Sequence, residues 1–81
     1  MGAVRHERIA SDPEVMGGKP VVRGTRVPVE LLLAKLGRGM TVDELLVAYP
    51  RLTREDVLAS LSFAADYLRL EDVEFAAPAA A

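Results

Sequence analysis

The sequence predicts a mainly α domain in which an N-terminal β-hairpin precedes three helices arranged as a homeodomain-like helix-turn-helix. Three observations carry that expectation. Thr41-Val42-Asp43-Glu44 and Thr53-Arg54-Glu55-Asp56 are twelve residues apart, and each opens an apolar run at helical spacing. Only Pro50-Arg51-Leu52 and a flanking residue or two separate the two runs. Upstream, Val21-Val22 and Val27 flank Arg23-Gly24-Thr25-Arg26, two short β-rich segments meeting at a glycine-containing turn.

The elements follow in order. Ile9 to Val15 reads as a strand or loop, with Ile9 as a core anchor and Ser11-Asp12-Pro13 as a turn. Pro20 and Pro28 mark the hairpin ends, where a missing N–H costs no ladder bond. The first helix is expected from about Val29 to Arg38: Leu32, Leu33 and Leu36 recur at helical spacing, and Gly37 or Gly39 ends it. In the second, Val42, Leu45, Leu46 and Tyr49 form one stripe, which Pro50 stops. The third should run from Thr53 to Arg69 or Leu70.

Two apolar faces are expected on the third helix. Val57, Leu58, Leu61, Ala64, Ala65 and Leu68 fall within roughly 120° at about 100° per residue and are expected to make the core. Phe63, Tyr67 and Leu70 lie on the other side. Either the N-terminal segment folds over that second face, or it is a subunit or partner interface anchored by aromatics.

At 81 residues the chain makes one domain and buries only about 60–65% of its unfolded surface, so a second subunit would help its thin core. The boundaries expected are a flexible 1–7, a domain over 8–72 and a flexible Ala-rich tail over 73–81. Hydrophobic residues make up 51% with only four aromatics, which excludes a disordered chain and implies an aliphatic core. No apolar run approaches the roughly 18 residues that span a bilayer, no signal-type stretch follows Met1, and there is no cysteine, so the expected location is cytoplasmic.

No cofactor, metal or catalytic residue is expected. His6 is the sole histidine and reads as a solvated surface residue. Gly17-Gly18-Lys19 fails as a phosphate loop because position 20 is proline. The acidic pairs Asp43/Glu44 and Glu55/Asp56 sit at helix starts, where the helix dipole explains them. The chain therefore reads as a binding module and not an enzyme.

The net charge of −2 conceals a division: residues 1–40 hold seven Lys/Arg against four Asp/Glu (+3), and residues 41–81 hold three against eight (−5). A helix-turn-helix places its second helix in the major groove, but two acids beside Arg54 oppose phosphate there. The DNA-contact candidates are thus Lys19, Arg23 and Arg26 on the hairpin, with Arg54.

The string Ser11-Asp-Pro-Glu-Val-Met-Gly-Gly-Lys-Pro-Val-Val-Arg-Gly-Thr-Arg-Val-Pro-Val29, followed by Thr41-Val-Asp-Glu-Leu-Leu-x-x-Tyr-Pro-x-Leu-Thr-x-Glu-Asp-Val57, closely resembles the domain of unknown function 433 family over roughly residues 8–70. The resemblance implies a small homeodomain-like helix-turn-helix fold with an N-terminal hairpin. It also implies an antitoxin of a type II toxin-antitoxin pair, which neutralises a PIN-like nuclease by direct binding and represses its own operon through operator DNA. The family element contains Gly18, Lys19, Pro20, Arg23, Gly24, Thr25 and Arg26, either as contacts or as turn architecture. A homodimer is expected, with Phe63, Tyr67 and Leu70 as the dimer or partner face. The alternatives are a DNA-binding regulator without a toxin partner and a self-associating scaffold.

Overall fold

The computed structural model describes residues 6–70, and of Leu70 the backbone alone. The expectations for 1–5, for the Ala-rich tail and for the Leu70 side chain lie outside the described residues. The elements are β1 (Ile9–Ala10), a short 3₁₀ turn over Met16–Gly18, β2 (Val21–Val22), α1 (Val29–Gly37), α2 (Val42–Ala48) and α3 (Arg54–Leu70). The architecture is mainly helical with an N-terminal two-stranded antiparallel hairpin, as the sequence predicts.

β2 is the centre of the hairpin region. On one edge it pairs with β1 in the register Ile9↔Val22 and Ala10↔Val21. On the other, the Val22 N–H donates to the Val27 carbonyl at 3.0 Å and the Val29 N–H to the Pro20 carbonyl at 3.0 Å. Pro20 therefore takes part through its carbonyl, the role open to a residue without an N–H, and the Pro28 carbonyl accepts from the Leu31 N–H at the start of α1. Between these segments the Thr25 N–H closes on the Val22 carbonyl at 3.0 Å, with Gly24 at φ +80°. A turn with a positive φ at its third residue calls for glycine. The Thr25 hydroxyl donates to the Val22 carbonyl and accepts from the Val27 N–H, so Thr25 is turn architecture.

Each helix boundary has a local cause. Just past the end of α1, Gly39 takes φ +104°, and there the Met40 N–H returns to the Lys35 carbonyl and the Gly39 N–H to the Leu36 carbonyl. These are the two bonds of a Schellman motif. α2 opens with a complete capping box: the Glu44 N–H donates to Thr41 Oγ1, and the Thr41 N–H donates to Glu44 Oε1 at 2.8 Å. The Thr41 backbone bond, and then its side chain, hold the Glu44 carboxyl below its ordinary value.

α3 repeats that device with a shorter acid. The Asp56 N–H donates to Thr53 Oγ1, and the Thr53 N–H donates to Asp56 Oδ2 at 2.9 Å. Oδ1 of the same carboxylate accepts from the Arg8 guanidinium at 3.0 Å. Asp56 is only 8% exposed, so one side chain both caps α3 and ties down the segment leading into β1.

The core contains Val22, Leu32, Leu45, Leu52 and Val57, with Val27, Leu36, Met40, Val42, Leu46 and Tyr49 packed around it. The α2 stripe faces inward, as do Leu32 and Leu36 of the α1 stripe, whereas Leu33 is half-buried outside this cluster. The faces of α3 do not follow the reading. Val57 is fully buried and Ala64 half-buried, but Leu58, Leu61 and Leu68 are 55%, 41% and 57% exposed, and Ala65 is exposed as well. The helix instead turns Asp56, Val57 and Ser60 inward, with Phe63 half-buried on the same side.

Two polar residues make that rotation stable. Asp56 is satisfied by its cap and by Arg8, and the Ser60 hydroxyl donates to the Asp56 carbonyl at 2.9 Å. A buried polar group whose bonds are all made carries little of the desolvation penalty that would otherwise exclude it.

Candidate functional site

Three separate features mark the outer surface of α1, α3 and the hairpin. The first is an apolar groove of about 370 Å³ between α1 and α3. Val29 and Leu33 line it from α1; Phe63, Ala64, Tyr67 and Leu68 line it from α3. Pro20, Lys19 and Glu30 close one margin, with Lys19 Nζ donating to Glu30 Oε1 at 2.7 Å.

The aromatic side of this groove is braced by the N-terminal segment. His6 meets Phe63 edge-on at 5.4 Å between centroids, and Phe63 meets Tyr67 at 6.0 Å. His6 Nε2 donates to Asp66 Oδ2 at 2.8 Å, and the Arg69 guanidinium bonds the other Asp66 oxygen. His6 is therefore a packed structural contact and not the solvated residue expected. Phe63 is half-buried beneath it, whereas Tyr67 remains 52% exposed.

The second feature is the uncovered α3 sector of Leu58, Leu61, Ala65 and Leu68. The third is the hairpin tip. Arg23 Nε donates to the Glu7 carbonyl at 2.6 Å, Arg51 Nη2 donates to the Gly24 carbonyl at 3.2 Å, and Arg26 is exposed. Among the described residues none of these three guanidiniums has a carboxylate within ion-pair distance, so their charges stand uncompensated at close range. Carbonyl bonds orient a guanidinium without neutralising it.

Of the four cations singled out from sequence, the tip gathers Arg23 and Arg26 only. Lys19 is held by Glu30 at the groove margin, and Arg54 is paired with Asp43 across the α2–α3 turn. Arg51 was not among them. It lies 27 positions from Gly24, and no local pattern in Tyr49-Pro50-Arg51-Leu52 signals that it reaches the hairpin. Among the described residues, no three His, Cys, Asp or Glu side chains are grouped to hold a metal ion, and no helix is long and apolar enough to cross a membrane.

Residues 9–64 match the family model described as "Protein of unknown function (DUF433)". The chain belongs to the DUF433 family. It is 44% identical over 68 residues to the uncharacterized protein y4eO of Sinorhizobium fredii (strain NBRC 101917 / NGR234), a match covering 83% of this chain. That match spans 31% of the relative, so the DUF433 chain corresponds to about a third of the longer protein. The crystal structure of a DUF433 member from Anabaena variabilis superposes with a TM-score of 0.73 at 36% identity, covering 78% of this chain and 62% of the other. The helices and hairpin described above are thus a shared family framework.

Proposed function

We propose that this DUF433 chain is a small protein-binding module of the antitoxin kind, which holds a PIN-like nuclease in the α1–α3 groove and blocks it stoichiometrically. The supporting observation is the groove itself: Leu33, Tyr67 and Leu68 line an open apolar surface beside an aromatic pair that the His6 brace holds in place. Pre-positioned aromatics bordering an apolar groove are the usual anchors of protein interfaces. The −5 charge of residues 41–81 suits a partner whose substrate channel is cationic, as a nuclease channel must be to hold phosphate.

The test is co-expression with a PIN-like nuclease encoded beside this gene. The chain is expected to co-purify with it and relieve its growth arrest. Leu33→Asp with Tyr67→Asp should weaken the complex by at least about 100-fold, the scale of two anchor residues, while leaving the circular dichroism unchanged. Undiminished co-purification of that variant would rule out the groove as the contact.

One observation favours a second reading, operator DNA held by the hairpin. Among the described residues, Arg23, Arg26 and Arg51 place three guanidiniums with carbonyl or no partners around one tip. If these contact phosphates, Arg23→Ala with Arg26→Ala lowers affinity for duplexes of any sequence and reduces the salt slope by about 2. Binding to promoter DNA that does not vary with salt would reject this reading. The α3 N-terminus is poorly suited to base reading, because Asp43 already holds Arg54 and Glu55 stands exposed beside it.

A further inference from the structure

We propose that α3 pairs antiparallel with α3 of a second copy of this chain, along the seam Leu58, Leu61, Ala65 and Leu68. This surface is distinct from the groove proposed for the nuclease, with only Leu68 at their common margin.

The seam has the spacing of a two-helix contact. Its residues follow one another at intervals of three, four and three, the heptad alternation that keeps a stripe facing a partner helix. All four side chains are exposed, although Val57 beside them on the same helix is completely buried. Among the described residues, the chain's own elements therefore stop short of this sector.

Charge selects the occupant and its direction. One flank of the seam runs into the chain's own core through Val57 and Ala64. The other is open to solvent and carries Glu55 near the start of α3 and Arg69 near its end, both exposed, with Arg69 also bonded to Asp66 of its own helix. A two-fold axis between Leu61 and Ala65 sets Leu58 against the partner's Leu68 and Leu61 against the partner's Ala65. The same axis brings Glu55 beside the partner's Arg69 at each end, so a single arrangement gives each Glu55 a cation and each Arg69 a second carboxylate beside Asp66. It also sets the two helix dipoles head to tail. A parallel pair would instead gather two helix N-termini and two Glu55 carboxylates at one end, like against like.

Ten residues separate Leu58 from Leu68, about 15 Å of helix, so the seam is short and the dimer should be reversible and concentration-dependent.

Sedimentation of the full chain over a concentration series tests this. A monomer–dimer equilibrium is expected, and Leu58→Glu with Leu61→Glu should be monomeric with an unchanged circular dichroism spectrum. Glu55→Arg alone should weaken the dimer by about 3- to 10-fold, and adding Arg69→Glu to it should restore association. Because the natural sequence has no cysteine, Leu58→Cys and Leu68→Cys chains report orientation. Oxidising their mixture should link the two kinds of chain, whereas either alone should stay largely unlinked. A chain that stays monomeric up to about 1 mM overturns the proposal. So does a dimer indifferent to the Leu58/Leu61 pair, a double charge reversal no better than the single one, or Leu58→Cys linking to itself in preference to Leu68→Cys.

Discussion

Asp56→Ala is expected to lower the unfolding free energy by about 2–3 kcal/mol, the scale of losing a helix cap together with a charge-assisted hydrogen bond. For a domain of this size that is a fall in melting temperature of roughly 10–20 °C. The reason is that one buried carboxylate does two jobs: it closes the Thr53 capping box and receives Arg8. Removing it leaves the Thr53 N–H and the Arg8 guanidinium without their acceptor and frees the segment leading into β1.

The pH dependence carries a matching signature. Burial pushes the Asp56 carboxyl up, but the Thr53 N–H, the Arg8 guanidinium and the Thr53 hydroxyl together outweigh it and hold the group below its ordinary value. A carboxyl with a depressed folded-state pKa binds its proton less readily folded than unfolded. Its contribution is then complete above the unfolded value near 3.9 and is lost as pH falls through the folded one. The parent should accordingly lose stability in acid faster than the Asp56→Ala variant, and their denaturation midpoints should converge as pH falls below about 4. A constant gap down to pH 2 would mean that Asp56 is uncharged or unpartnered in the folded chain.

Val57→Asp is expected to unfold the domain. Val57 is fully buried in an aliphatic cluster with Val22, Leu32, Leu45 and Leu52. An unpaired charge in such a site costs several kcal/mol, a large part of the stability of a domain this small. Loss of the cooperative thermal transition and of helical circular dichroism is the readout; a folded variant with a normal melting temperature would mean that this face of α3 is open to water.

Most of the fold was legible because its boundaries are set locally. The Thr41–Glu44 box, the Thr53–Asp56 box and the Val22–Thr25 turn each depend on residues within a few positions of one another, and their side-chain chemistry specifies them directly. The α2 stripe was legible because Val42, Leu45, Leu46 and Tyr49 recur at helical spacing on one side, although Val47 stands outside it, 81% exposed. α3 was not: apolar residues stand around most of its circumference, so periodicity alone does not say which sector turns inward. Asp56 and Ser60 decided that question, and both count as polar in a pattern although every polar atom they bury finds a partner.

The candidate sites divided along the same line. Arg23 and Arg26 were found because they share one turn. The Arg51–Gly24 bond and the His6–Phe63–Asp66 cluster join segments far apart in the chain, and composition and spacing carry no signal for them. Tyr67 was singled out on an accessible face and borders the groove, whereas its neighbour Phe63 proved to be largely packing beneath His6.

The orientation of α3 underlies both proposed contacts, and Leu58→Asp tests it most directly beside the Val57 variant. Equilibrium urea unfolding at low micromolar concentration, where a weak dimer has dissociated, should place Leu58→Asp within about 0.5 kcal/mol of the parent, as for an exposed position. A loss of several kcal/mol at Leu58 would put that side chain in the core and contradict the uncovered face on which the account stands.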